Sequence, residues 1–171
     1  AGNQSDAAAL TMLAEILGGS SQTSVLGRKL TFDTKTALYV SAFYDGTSYD
    51  DTTFGLVIVP ADGVTLADAE TALDKAIADF LETGVDPAQF ARIKFQITAG
   101  LIYGEDSTES LARSYGEALT TGLTVEDVKA WPDVLRSVTE ADVIAAARRI
   151  FDRNKAVTGY MMRDDATEVM Q

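Results

Sequence analysis

Three clusters of polar side chains have the types and spacing to do chemistry. The first is "GGSSQTS" at residues 18–24. Its glycines leave backbone N–H groups open and its serines add donors, so the loop could hold an anion or an extended peptide. No G-K-[ST] follows, which rules out the usual phosphate loop. On pattern alone a helix stop followed by a solvated loop explains it better. The second cluster is Asp45, Asp50 and Asp51 in "YDGTSYDD". The acid spacing and the missing terminal Glu depart from a calcium loop, and a solvated hairpin turn accounts for it. The third is Glu105, Asp106 and Glu109 in "IYGEDSTES". Paired carboxylates can do acid–base work. Here, though, Gly104 breaks one helix and Ser107 is placed to cap the next, where acids are favoured by the helix dipole. Arg148 and Arg149 sit near a helix C-terminus, where the same dipole favours them.

What is missing narrows the chemistry further. The chain has no histidine and no cysteine among its 171 residues. The commonest general base and the commonest metal ligand are therefore absent. Zinc held by this chain alone would need carboxylates only. No disulfide is possible, and the lack of thiols is compatible with an oxidising compartment. The net charge of −12 disfavours nucleic acid as a partner, because phosphate binding needs a basic patch. No apolar run approaches the roughly 20 residues of a membrane helix. The start, "AGNQSDAAALTML", lacks the basic stretch and apolar core of a signal peptide, and it lacks an initiator Met. The expectation is one domain, residues 1–171, cut from a longer protein.

The elements that must position these residues follow from periodicity. Leu10, Leu13, Ala14 and Leu17 form one apolar stripe, which predicts a helix over 5–17 stopped by Gly18 and Gly19. A second short helix is expected at 25–32. Residues 37–45 and 52–60 alternate, are rich in strand formers and flank a turn, so they predict an antiparallel hairpin. Helices are expected from Thr65 to Gly84, with Ala69, Leu73, Ile77 and Phe80 on one face, and over about 87–104 and 107–121. Thr124 with Asp127 and Thr139 with Asp142 repeat a capping pattern before two further helices. Trp131–Pro132 reads as a helix join with a buried ring. "KAVTGYMM" at 155–162 reads as a last strand that joins the hairpin. The fold class is α+β: an antiparallel sheet with helices packed on one face.

Taken together, "LAEILGGSS", "TSVLGRKL", "ALYVSAFY", "TTFGLVIVP", the long stretch from "FLETGVDPAQF" to "SYGEALTTG", "LRSVTEADVIAAARRIF" and "AVTGYMM" resemble a known family in order and spacing. The chain resembles the second, C-terminal half of a pitrilysin/insulinase-family zinc peptidase, the group that includes mitochondrial processing peptidase. The resemblance implies the LuxS/mitochondrial-processing-peptidase-like metallohydrolase fold. Two homologous α+β halves then close around an unfolded peptide. In the family the first half carries H-x-x-E-H and a distal Glu, which bind zinc and activate water. A chain without histidine is not that half, so no cofactor is expected here, and zinc only in the N-terminal half. The implied partners are that N-terminal domain, a peptide substrate and, in some bacterial members, a paired homologous subunit.

The resemblance also bears on single residues. The 18–24 loop corresponds to a longer glycine-rich loop linked to substrate handling, so Gly18, Gly19, Ser20 and Ser21 become candidates for peptide contact. Active members often read L-R-E-K-x-G-L-A-Y before V-S-A, the Arg and Tyr reaching the transition-state oxygen. An ungapped alignment of "LTFDTKTALYVSA" puts Thr31 at the Arg position and Leu38 at the Tyr position. Neither supplies a charge or a phenol. Arg28 and Tyr39 lie close in sequence, but strand alternation would turn Tyr39 to the face opposite Leu38. The implied role is a non-catalytic half of a peptide-holding chamber in a bacterial, periplasmic protein. The rival readings are a non-proteolytic core-protein-like subunit and, more weakly, a stand-alone binding domain.

Overall fold

Helix boundaries in this protein are written by hydroxyl and carboxylate caps. The computed structural model describes residues 4–50 and 52–162. Thr65, Asp86, Ser107, Thr124 and Thr139 each sit in extended backbone, and each side chain accepts a backbone N–H from the first helical turn. They open α2 (Leu66–Thr83), α3 (Pro87–Glu105), α4 (Thr108–Thr120), α5 (Val125–Ser137) and α6 (Glu140–Ile150). Thr124 with Asp127 and Thr139 with Asp142 make complete reciprocal capping boxes. Gly84 ends α2 at φ 82°, a conformation that suits glycine.

The first helix, α1 (Gln4–Ala14), continues into a wider π-type turn, Glu15–Gly19. A second π-type stretch, Gly27–Asp33, follows after Ser24, whose buried hydroxyl accepts the Gly27 N–H at 3.2 Å. β1 (Ala37–Tyr44) and β2 (Phe54–Pro60) pair antiparallel, as the hairpin pattern predicts. Asp45 shapes the connecting turn by accepting the Thr47 N–H and hydroxyl at 2.9 and 2.7 Å. Asp51 and the Glu105 side chain lie outside what the structure describes.

Helices cover one face of the hairpin. Val40, Ala42, Leu56 and Ile58 point into a core shared with Met12, Leu13, Leu17, Leu30, Ile77, Phe80 and Leu135. α1 packs against α5, α6 and β1, and α2 lies along β2. The α+β class, an antiparallel sheet with helices on one face, is observed.

Two expectations need correction. Residues 155–162 are not a strand, and among the described residues the sheet has two strands. The segment runs extended beside α2. There Thr158 donates to Glu70 at 3.0 Å, Tyr160 donates to the same carboxylate, and Arg153 reaches Asp74 at 2.7 Å. Val157 and Met161 are 98% and 94% exposed. The case for a third strand assumed burial. Backbone left in water needs no protein partner. The second correction concerns Trp131–Pro132, which lies inside α5 rather than at a join, with Trp131 partly buried against the core. Proline there removes one helical donor, and packing of the α5 apolar face outweighs the local loss.

Candidate functional site

The strands are apolar on both faces. β2 reads Leu56, Ile58 inward and Val57, Val59 outward, and β1 adds Tyr39 and Phe43 on the outward side. Cross-strand pairs on the open face are Tyr39 with Val59, Ser41 with Val57, and Phe43 with Gly55. The Phe43 ring lies over Gly55, where a β-carbon would meet its Cε1 at 2.6 Å. Tyr39, Phe43, Val57 and Val59 are 40–54% exposed. An antiparallel sheet with one wet face normally alternates apolar with polar residues. A contiguous apolar stripe on the open face marks a surface that meets something else.

A bulge alters the reading of the two family positions. Ala37 pairs with Pro60 while Tyr39 pairs with Val59, so Leu38 is an extra residue on β1. Alternation breaks there. Leu38 and Tyr39 are both exposed, flanked by buried Ala37 and Val40. The expectation that Tyr39 must oppose Leu38 therefore fails, because period-two reasoning does not hold across a bulge. Thr31 is partly buried in the Gly27–Asp33 turn. Arg28 is exposed and lines a cleft of about 480 Å³ with Lys29, Asp79 and Gln89, between that turn and the α2–α3 junction.

The 18–24 loop divides into two parts. Gly18 is buried against β1. Gly19, Ser20 and Ser21 are exposed. The Gln89 side chain donates to the Thr23 carbonyl at 3.0 Å, which ties the loop to α3. Gly18 is thus in a packing position, and the exposed residues remain available for contact.

The acidic clusters behave as local structure. Ser107 caps α4, and Glu109 pairs with Arg113 at 3.3 Å one turn on. Arg149 reaches Asp6 on α1 at 3.1 Å. No histidine or cysteine exists in the chain, and among the described residues no three carboxylates come together as a metal cluster. The donor set does not fit a zinc ion.

Comparison with known proteins now decides the family. Residues 2–97 match the family described as the peptidase M16 inactive domain. The chain belongs to that family.

Solved structures agree on the fold. A protease from Helicobacter pylori superposes with a TM-score of 0.79 at 16% identity, over 86% of this chain and 35% of that one. A candidate zinc protease from Bordetella pertussis Tohama I gives 0.74 at 19% identity, over 88% of this chain and 81% of that one. A candidate M16-like peptidase from Alicyclobacillus acidocaldarius gives 0.63 at 20% identity, over 85% and 33%. The chain therefore spans about a third of the first and third of these proteins. No curated protein sequence matches it. A pitrilysin-type C-terminal half without its own catalytic set is what the M16 inactive domain provides.

Sequence reasoning passed over Phe43, Val57 and Val59 as ordinary strand residues. The signal was in the text: "FGLVIVP" is apolar at consecutive positions in a hairpin, so both of its faces needed cover.

Proposed function

We propose that this M16 inactive domain forms one wall of a peptide-holding chamber in a longer protein, with the open sheet face as its inner surface. The opposite wall is a homologous N-terminal half, which would carry the zinc. The carrying observation is the exposed stripe of Tyr39, Phe43, Val57 and Val59 on a sheet whose other face is sealed by helices. Such a surface suits extended, unfolded chains. Their apolar side chains leave water on contact, worth about 25 cal/mol per Å² buried. The chain contributes no metal ligand, and catalysis is left to the other half. A bacterial, periplasmic parent remains part of this reading through the family resemblance, and the absence of cysteine is compatible with it.

Photo-crosslinking tests the assignment of the face. A benzophenone side chain at position 43 is expected to capture an unstructured peptide, and one at position 115 on α4 is not. The recovered peptide should be uncleaved, with or without added zinc. Equal capture at both positions, or none at 43, would count against this surface. Chelator-sensitive cleavage by the isolated chain would count against a non-catalytic role.

A further inference from the structure

The outward face of α3 is apolar and uncovered. Phe95, Ile102 and Tyr103 are 74%, 61% and 76% exposed, and Ala99 lies between them. The opposite side of the helix carries Phe90 and Ile93 into the core. Asp106, the C-cap of α3, keeps helical backbone angles. At about 100° per residue, Arg92, Phe95, Ala99, Ile102, Tyr103 and Asp106 therefore fall within one sector of about 100°. Large apolar side chains gathered on one exposed helical stripe mark a surface that meets another. The middle of the stripe is low. Ala99 has only a methyl group, and at Gly100 nothing stands within 4 Å of where a β-carbon would be. The ends carry opposite charge. Arg92 and Asp106 are exposed, and among the described residues neither makes an ion pair. Arg92 comes as many residues before Ala99 as Asp106 comes after it, about 10 Å each way along the axis. The stripe is complementary to itself when reversed.

We infer that the α3 face joins two copies of this chain, the helices crossing antiparallel at Ala99 about a twofold axis. In such an isologous contact each residue meets the position equally far on the other side of Ala99. Arg92 of each copy comes level with Asp106 of the other, and Phe95 with Tyr103. Two ion pairs and two aromatic pairs then flank a close approach at the alanines. Aromatic residues and Arg are the types that dominate interface energies. A parallel arrangement would set Arg92 beside Arg92 and Asp106 beside Asp106, which charge repulsion disfavours. One helix per copy covers less than the roughly 1,200 Å² of stable complexes. The net charge of −12 also opposes association. The dimer is therefore weak and fills at high protein concentration.

Sedimentation equilibrium of the whole chain, run from micromolar to millimolar concentration, tests this. The parent should pass from monomer to dimer and go no further. Arg92→Asp and Asp106→Arg each turn two attractions into two repulsions, and each should weaken the dimer about tenfold. Mixed in equal amounts, those two variants should associate as the parent does, because each acidic face then meets a basic one. The double variant Arg92→Asp/Asp106→Arg should recover association by itself. Phe95→Glu should abolish it with thermal melting unchanged, since Phe95 is exposed. A parent that stays monomeric to millimolar concentration overturns the inference, and so does assembly beyond a dimer. A dimer that persists in Phe95→Glu lies on another face and overturns it as well. Failure of the mixed charge variants to associate, while the parent dimerises, overturns the antiparallel crossing at Ala99.

Discussion

Gly18 packs directly on the backbone of Ala42. A β-carbon at position 18 would sit 2.6 Å from the Ser41 carbonyl carbon, 2.9 Å from Ala42 Cα and closer still to the Ala42 nitrogen. The obstacle is strand backbone, which cannot step aside as a flexible side chain can. Gly18→Ala should therefore destabilise the fold by about 2–3 kcal/mol, seen as a fall in Tm of roughly 5–10 °C. Ser20→Ala and Ser21→Ala, at exposed positions, should stay within about 0.5 kcal/mol of the parent. A folded, equally stable Gly18→Ala that only loses peptide binding would show that Gly18 serves the ligand rather than the packing.

The capping boxes make stability depend on acid. Hydrogen bonds from the Thr139 side chain, then its backbone, hold the Asp142 carboxyl below the ordinary aspartate value of 3.8, and Thr124 does the same for Asp127. A depressed carboxylate contributes stability that is present above 3.8 and fades as pH falls through the lowered value. Thr139→Ala should cost about 1 kcal/mol at pH 7. In thermal melts its gap from the parent should hold down to about pH 5 and narrow below 3.8. A gap that widens in acid would contradict the assignment.

Glu70 anchors the extended segment 156–162. Its carboxyl is lowered by the hydrogen bond from Tyr160, then by that from Thr158, while the Tyr160 phenol is raised by the same bond to Glu70. The anchor is thus present above the ordinary glutamate value of 4.5 and below the ordinary tyrosine value of 10.0. It is lost as pH falls through the lowered Glu70 value or rises through the raised Tyr160 value. Glu70→Ala should speed chymotryptic cleavage at Tyr160 several-fold at pH 7, with little change in global melting. Unchanged cleavage would mean that the segment is held by something else.

If the ungapped alignment with the family holds, Thr31→Arg with Leu38→Tyr would supply the Arg and Tyr that the resemblance places at these positions. Leu38 is 62% exposed at the bulge, so the phenol has room. Leu38→Tyr alone is expected to keep Tm within about 2 °C of the parent, as a surface change of about 0.5 kcal/mol would, and the double variant to lose more, because Thr31 is partly buried. In a full-length parent with a zinc-binding half, the pair should raise peptidase activity. No gain there would indicate that a partner subunit already supplies both groups.

Much of this fold was legible from local signals. Thr65, Asp86, Ser107, Thr124 and Thr139 fix the helix starts through bonds made within four residues, and such bonds can be read from spacing. The hairpin followed from alternation and from the polar connection between the two runs. What escaped depended on distant partners. The segment 155–162 has strand-like composition, but its position is set by Glu70, more than eighty residues back, with Arg153 just before it held by Asp74. The bulge at Leu38 arises from pairing with Pro60 and Val59. No single-strand pattern could reveal it, and it undid the facing argument for Tyr39. Pro132 looked like a helix end by local rules and was carried through by packing. The candidate face was half legible: both sides of β2 read as apolar, yet which side the helices take is decided by the whole core.

Backbone amide NMR during titration with an unstructured, uncleaved apolar peptide would locate the peptide on this domain residue by residue. Shift changes should concentrate on residues 38–43 and 55–59 and spare α4 and α6, with the peptide intact at the end of the titration. Changes centred on the helical layer would move the peptide surface off the sheet, and a peptide cut by this chain alone would rule out a non-catalytic wall.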